Sequence, residues 1–333
     1  MTLELFWYLA LILLCAVLML SKQNHKFYGF IVFLALLIYS LIVRFSGFDV
    51  DFRQYSMALE GKALNTFFQF YSAREWLYWA SASLLYSVVK SKEITFTLID
   101  LVLIALVFKI RKNFDLPYYF ILLFFIFFPS VMGMQNIYRQ FIATVLICLA
   151  ISLKTKKIKW LVLCSAVFIH NFSFLFMPLG FVHRNQIRKE KYNILFFIAA
   201  TAFMVMLPSL KNYKSYGDPG LQLGTAFVIL LFIILAGILM SNQLIIKGTM
   251  IPYFWEGTYI CFFSLACFLI LSSFQTARVA LAGLQLLLPV IVLNIESRFV
   301  QKRMLRLVLL VLAVAPTFIF ENAFVFLLTS RQL

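Results

Sequence analysis

Long apolar runs separated by short polar loops dominate the sequence. A membrane-spanning helix needs about 20 apolar residues, and most of the runs reach or approach that length. The pattern therefore predicts an all-α, polytopic membrane helix bundle of about 10–12 membrane segments, with one or two of them re-entrant or interfacial. We expect a single integral membrane domain over 1–333. The runs are 3–20, 27–43, 76–89, 94–108, 117–132, 138–153, 158–182, 192–210, 222–241, 251–273, 278–295 and 305–328.

The composition agrees with this pattern and excludes a typical soluble domain. The 333 residues are 63% hydrophobic and 13% charged, whereas soluble domains are about 45–50% apolar and about 25% charged. The net charge of +16 comes largely from basic residues in short loops between runs, where the positive-inside rule places them. We therefore expect no nucleic-acid partner. The first run lacks the features of a cleavable signal, which predicts that Thr2–Leu20 is a true span.

The distribution of Lys and Arg predicts the orientation. Four basic loops favour the cytoplasmic side, and they can share it only if 76–89 is re-entrant or interfacial and 158–182 enters and leaves on one side. His170-Asn171 is the expected break in the second of these runs. Both termini then face outward; if 158–182 crosses instead, everything after it inverts. The basic loops are 109–115, 154–159, 183–191 and 296–306.

The longest hydrophilic stretch, 44–75, falls on the outer side in this topology. Acidic and basic residues alternate there, and aromatic residues lie between them. Aromatic side chains suit the headgroup layer, so we expect short amphipathic pieces that lie on the membrane. A solvated loop that neutralises its own charges is the alternative.

Polar side chains stand at the mouth of the run 138–153. Asn136, Arg139 and Gln140 are spaced i, i+3, i+4 and therefore share one helix face. An arginine at this position is either an anchor that extends to the interface or an anion-binding group that faces a cavity.

Further charged groups are expected near the same outer face. Arginine pairs bidentately with phosphate oxygens, so several arginines around an outward cavity suit a pyrophosphate. Arg44 and Arg278 are equally explained as interfacial ends of spans, and His170 as a packed, hydrogen-bonded residue. Asp100, inside a run, is either functional or hydrogen-bonded between helices. The outward candidates are Arg44, Arg53, Arg74, Arg139 and Arg278, with Asp49, Asp51, Glu75 and His170.

Other chemistries have no motif in this chain. The cysteines lie inside apolar runs and have no histidine at metal-ligand spacing, so we expect neither disulfides nor a metal site. The sequence contains no phosphate-binding glycine loop, dinucleotide fingerprint, zinc-protease motif or nucleophile elbow.

Several of these residues, taken in order, resemble the motifs of the EpsG/Wzy-type polysaccharide polymerases. Asn136-x-x-Arg139-Gln140-x-x-Ala143 is similar to the most recognisable of those motifs. Asp49 stands beside Asp51 as a second match for the family's acid. The other matching segments are Arg44…Gly47…Asp51-Phe52-Arg53-Gln54-Tyr55, Glu75 with Trp76, Tyr78 and Trp79, Lys156-Lys157…Ile169-His170…Ser173…Pro178, and Arg278 before a span containing Pro289.

The resemblance implies a multi-pass protein of the bacterial inner membrane, with a fold like the membrane glycosyltransferase C class. It implies glycosyl transfer at the periplasmic face, between a polyprenyl-diphosphate-linked glycan donor and a lipid-linked repeat unit as acceptor. The product would be O-antigen, capsule or exopolysaccharide. Membrane lipid is an expected partner, as are a chain-length regulator and a flippase, and no cofactor is implied.

The resemblance also suggests roles for individual residues. Asp51 or His170 would accept the proton of the attacking hydroxyl, and Glu75 would orient either group. Residues expected to bind the diphosphate or sugar are Arg139, Arg278, Arg44, Arg53, Gln140, Asn136 and Tyr55.

A flippase or transporter of lipid-linked oligosaccharide is the main alternative. Such proteins also need arginines in a membrane cavity, but they usually show repeated halves with broken helices at matching positions. This chain has no recognisable repeat and only the one expected break, near His170. A membrane acyltransferase is disfavoured because the first run contains no His or Arg.

Overall fold

In the computed structural model, the described part of the chain consists of helices joined by short connections and contains no strand. This confirms the all-α prediction there. Within the described part of the chain, three helices are long and apolar enough to cross a membrane, namely Leu3–Leu20, Lys26–Phe45 and Thr276–Ser297. The protein is thus a helical membrane protein, while the larger number of membrane segments stays a prediction. The described residues are 2–21, 26–47, 50–61, 75–181, 253–270, 273–298 and 301–319.

The chain divides into two compact units, Met1–Phe174 with Val300–Leu333 and Leu175–Phe299. The first unit contains most of the described helices, and the candidate residues of the site come mainly from it. Its helices are α1 (Leu3–Leu20), α2 (Lys26–Phe45), α3 (Val50–Leu59), α4 (Trp76–Val89), α5 (Lys92–Phe114), α6 (Tyr119–Ile126), α7 (Phe128–Gln135), α8 (Tyr138–Ser152) and α9 (Lys156–Ile169). The second unit contains α10 (Phe254–Ile270) and α11 (Ser273–Arg298), and α12 (Lys302–Ile319) returns to the first unit.

The first helix begins and ends where its apolar run does. The backbone N–H of Leu5 donates to the Thr2 hydroxyl at 3.2 Å, which satisfies one of the open donors at the helix start. The buried Tyr8 hydroxyl reaches the Ile126 carbonyl at 2.8 Å and Thr317 Oγ1 at 3.1 Å. These bonds join α1 to α6 and α12.

The apolar run 117–132 is not one helix, which corrects the single segment expected there. Phe127 has an extended backbone between α6 and α7. Pro129 lies in the first turn of α7, a position that proline tolerates because that N–H has no intrahelical partner. The Ser130 hydroxyl donates to the Phe124 carbonyl across the break.

A glycine allows α7 to approach α8 closely. A Cβ atom added at Gly133 would lie 2.7 Å from both Cβ and Cγ of Phe141. No larger side chain fits there unless one helix moves. The close contact holds the end of α7, and the connection that follows it, against the first turns of α8.

The long run 158–182 contains the break expected at its polar pair. The α-helix ends at Ile169, His170 has an extended backbone, and a 3₁₀ helix covers Asn171–Phe181. Whether this segment re-enters the membrane stays a prediction. In the second unit, the Tyr259 hydroxyl donates to the Leu175 carbonyl at 2.7 Å and so ties α10 to the 3₁₀ helix.

Some expectations fall wholly or partly outside the described residues. Among them are the apolar runs 192–210 and 222–241. In the outward stretch 44–75, the helix α3 is described, whereas 62–74 is not.

Candidate active site

Arg139, the second residue of α8, is the centre of a cluster of polar and aromatic side chains. Its Nη1 donates to Oε2 of Glu75 in an ion pair, and its Nε donates to the Tyr55 hydroxyl at 3.3 Å. The guanidinium carbon lies 5.1 Å from the Tyr55 ring centre and 5.4 Å from that of Trp79. Contacts of this kind stabilise a cation by the charge distribution of the ring.

Glu75 connects α8 to the residues that follow α9. It immediately precedes α4 and is 2% exposed. Its Oε1 accepts from the Asn171 backbone N–H at 3.4 Å and lies 3.6 Å from Nδ1 of His170. Burial raises the pKa of the Glu75 carboxyl above its usual value, and the Arg139 guanidinium opposes that rise. The carboxylate thus holds Arg139 from one side and the start of the 3₁₀ helix from the other.

The position of the proton on His170 follows from a backbone contact. The Phe172 N–H donates to Nδ1 of His170 at 3.2 Å. A neutral imidazole has one acceptor and one donor nitrogen. Nδ1 is the acceptor, so the neutral ring carries its proton on Nε2. In this form His170, which is 21% exposed, presents a hydrogen-bond donor at Nε2.

Arg44 belongs to a different, fully buried cluster. Its Nε and Nη2 donate to Asp100 at 2.7 and 2.9 Å, and its Nη1 donates to the Met134 carbonyl at 3.0 Å. The Phe52 ring centre lies 4.1 Å from the guanidinium carbon. Arg44 is 1% exposed and Asp100 is 0% exposed, so this guanidinium binds protein atoms. The interpretation of Asp100 as hydrogen-bonded between helices is confirmed.

The family model described as the EpsG family matches residues 29–330, nearly the whole chain. The chain belongs to the EpsG family. No curated protein and no solved structure matches.

Membership of the EpsG family confirms the resemblance derived from the motifs. The EpsG family is a Wzy-type polysaccharide-polymerase-like family, so the protein has a polymerase-like role of the glycosyltransferase type. That role and the all-helical fold agree with a membrane location.

In this EpsG-family protein, four of the residues singled out in the sequence lie close together, namely Tyr55, Glu75, Arg139 and His170. Gln140 is 3% exposed, and Asn136 is partly buried in the turn that precedes α8. Arg53 is exposed on α3, and Asp51 lies in α3 one turn before Tyr55, with its side chain outside the described atoms. Arg278 is partly buried in α11 of the second unit.

Sequence reasoning assigned no role to three residues that contribute to these clusters. Trp79 packs near Arg139, and Tyr138 donates from its hydroxyl to Oδ1 of Asp100 at 2.7 Å. Tyr78 is 2% exposed, and its hydroxyl has no hydrogen-bond partner among the described residues. For Tyr78 and Trp79 the available signal was the aromatic sequence directly after Glu75, because consecutive residues of a helix face different neighbours.

Proposed function

We propose that this protein joins polyprenyl-diphosphate-linked oligosaccharide repeat units into a polysaccharide by glycosyl transfer at the outer face of the bacterial inner membrane. The observation that carries the proposal is the arrangement around Glu75. One oxygen of its carboxylate pairs with Arg139, which Tyr55 also contacts, and the other oxygen lies 3.6 Å from Nδ1 of His170. Arg139 keeps 16% exposure, whereas Arg44 keeps 1%, so of these two guanidinium groups Arg139 is the one that a ligand can contact.

In the proposed reaction, a hydroxyl of the acceptor unit attacks the anomeric carbon of the donor glycan. A new glycosidic C–O bond forms, and the bond between the anomeric carbon and the diphosphate oxygen breaks. The bonding electron pair leaves with the polyprenyl diphosphate, and the hydroxyl proton passes to a base. The products are the growing glycan, now longer by one repeat unit, and free polyprenyl diphosphate.

Arg139 stabilises the negative charge that develops on the leaving diphosphate. A guanidinium matches two phosphate oxygens and keeps its charge at any physiological pH. Such groups are most effective when they are fixed before the reaction begins. The bonds from Arg139 to Glu75 and Tyr55 provide that fixation. In this proposal Arg53, Gln140 and Asn136, which belong to the same unit as Arg139, contribute further contacts to the diphosphate or sugar.

The tautomer of His170 favours Asp51 as the base. With its proton on Nε2, neutral His170 donates a hydrogen bond, and we assign that bond to the leaving diphosphate oxygen. Asp51 then accepts the hydroxyl proton, and it lies in the same helix as Tyr55, one turn earlier. Glu75 acts by orienting Arg139, because its two oxygens already accept from Arg139 and Asn171.

The fold class and cellular setting are part of the proposal. We propose a bundle of the membrane glycosyltransferase C type with its site open to the periplasm, and O-antigen, capsule or exopolysaccharide as product. A chain-length regulator and a flippase are its proposed partners. The alternative is a flippase of the same lipid-linked units, which would also bind a diphosphate through arginines.

Complementation of a strain that lacks this protein tests the proposal. The surface polysaccharide of each strain is separated on a gel, with expression matched by immunoblot. We expect the wild type to restore a ladder of chain lengths and Arg139→Ala to give only single repeat units. A normal ladder from Arg139→Ala would contradict the role of Arg139. Loss of even the single unit on the surface would favour the flippase.

A further inference from the structure

The carboxylate of Asp100 accepts four hydrogen bonds from described residues. Arg44 donates to it twice, from Nε at 2.7 Å and from Nη2 at 2.9 Å. The hydroxyls of Ser40 and Tyr138 donate at 2.7 Å each, the first to Oδ2 and the second to Oδ1. A carboxylate offers about four acceptor positions, so Asp100 is fully occupied although it is 0% exposed.

These bonds fix the chain on both sides of the connection before α8. Asp100 lies in α5, Ser40 and Arg44 lie in α2, and Tyr138 is the first residue of α8. Arg44 also donates to the carbonyl of Met134 near the end of α7. The network therefore holds the last turn of α7 and the first residue of α8, with only 135–137 between them.

Aromatic rings enclose the network and limit its movement. The ring centre of Phe52 lies 4.9 Å from that of Tyr138 and 5.0 Å from that of Phe96. The guanidinium carbon of Arg44 lies 4.7 Å from the Tyr138 ring centre. Close-packed interiors transmit displacements to their neighbours, so a shift at Asp100 would move Tyr138.

A buried ion pair is weak evidence that a protein needs it for stability, because desolvation of the two charges offsets much of their attraction. Specifying one geometry is the better-supported use of such a pair. Here the geometry concerns the residue next to Tyr138 in the chain, which is Arg139. The two side chains leave the same helical turn, so the direction of one constrains the other.

We propose that Asp100 is a positioning residue, which acts through the Tyr138 hydroxyl to orient the first turn of α8 and thereby Arg139. Its effect on activity rests on the function proposed above. Its effect on the first turn of α8 does not, and can be measured separately.

Two substitutions separate positioning from stability. Tyr138→Phe and Ser40→Ala each remove one hydroxyl that donates to Asp100 at 2.7 Å. Both residues are 0% exposed, so the two losses are matched in length, acceptor and burial. Only Tyr138 belongs to the helix that carries Arg139. A network that serves stability alone predicts the same result for both variants.

The experiment compares the two variants with the wild type in the complementation strain and as purified protein in detergent. Polymer yield is divided by the amount of folded protein, measured by size-exclusion chromatography of the extracted membrane. Hydrogen–deuterium exchange of peptides that cover 136–145 reports on the first turns of α8. Thermal unfolding verifies that the two variants lose comparable stability.

We expect Tyr138→Phe to lower polymer per folded molecule by about ten- to a hundredfold, as small displacements of a catalytic group do, and to speed exchange at the start of α8. Ser40→Ala should match the wild type in both measurements. Equal behaviour of the two variants would overturn the proposal, and so would wild-type activity and exchange in Tyr138→Phe. If Arg139→Ala itself keeps a normal ladder, the proposed role of Arg139 in the reaction fails. The exchange difference then still supports the effect of Asp100 on α8.

Discussion

Arg139 donates from Nη1 to Oε2 of Glu75, a residue 64 positions earlier in the chain. The other oxygen of the same carboxylate accepts from the Asn171 N–H. One acidic side chain therefore fixes the first turn of α8 relative to the break after α9. The guanidinium and the imidazole of the proposed site depend on Glu75 for their relative position.

This dependence predicts a loss of activity in mild acid. Burial raises the pKa of Glu75 above its ordinary value near 4.5, so the carboxylate takes up a proton at a higher pH than an exposed glutamate does. Protonation removes its charge and weakens the pair with Arg139. We expect polymer formation in membrane vesicles to decline as the pH falls through this raised pKa.

The effect of Glu75 on thermal stability distinguishes loss of activity by protonation of this carboxylate from loss of activity by acid unfolding. A raised pKa in the folded state means that the fold favours the protonated acid. The contribution of Glu75 to stability is therefore present below the unfolded pKa and declines as the pH rises through the folded pKa. Activity should thus be lost in acid without a loss of thermal stability due to this group. Glu75→Gln should have low activity at every pH and lack this decline; retention of the wild-type profile would refute the assignment.

His170 gives a second prediction, based on which nitrogen carries the proton. The amide nitrogen of a glutamine reaches about as far as Nε2 of histidine, whereas that of an asparagine reaches only as far as Nδ1. Since Nδ1 accepts from Phe172, His170→Gln should keep part of the activity. His170→Asn should lose about a hundredfold or more of the activity, the usual effect of removing a fixed hydrogen-bond donor to developing negative charge. Initial rates with membrane vesicles measure the difference, and a more active Asn variant would speak against the Nε2–H tautomer.

The buried Arg44–Asp100 pair predicts a stability effect that depends on charge balance. Arg44→Met leaves Asp100 without its counter-charge and should cost about 3–5 kcal/mol. Adding Asp100→Asn removes the unbalanced charge, so the double variant should unfold at a higher temperature than Arg44→Met alone. Thermal unfolding of the purified proteins tests this order. If the double variant were the less stable, the pair would not be coupled as the structure indicates.

Gly133 gives a prediction about helix packing. In Gly133→Ala the new Cβ would lie within 2.8 Å of three atoms of Phe141. Relief of that overlap must separate α7 from α8, at a cost of about 1–3 kcal/mol. Gly257→Ala is the control, because its Cβ would meet Leu287 at an ordinary 3.4 Å in another helix. Thermal unfolding should show a loss for the first variant only, and equal midpoints would contradict the close contact.

Local features of the fold could be predicted from the sequence. The apolar run 3–20 coincides with α1, and the polar pair His170-Asn171 marks the end of α9. The extended residue Phe127 was not predicted, because every residue around it is apolar and periodicity cannot reveal a break there. Pro129 was the available signal, since proline favours the first turn of a helix.

Pairings between distant residues could not be predicted in the same way. A buried acid such as Asp100 requires a partner, but that requirement does not say which arginine provides it. The candidates Arg44 and Arg139 looked alike in sequence, each at the end of an apolar run. Their three-dimensional neighbours, Asp100 for one and Glu75 for the other, distinguish them. That difference arises from helix packing, which a single sequence does not encode in any short motif.

The central claim is that the protein forms glycosidic bonds between lipid-linked units by using Arg139. The most direct test incubates the purified protein with its polyprenyl-diphosphate-linked repeat unit and follows the products by mass spectrometry. We predict glycans of two and more units, with one polyprenyl diphosphate released for each new linkage, and neither product from equally folded Arg139→Ala. Unchanged substrate with the wild type, or the same products from Arg139→Ala, would contradict the account.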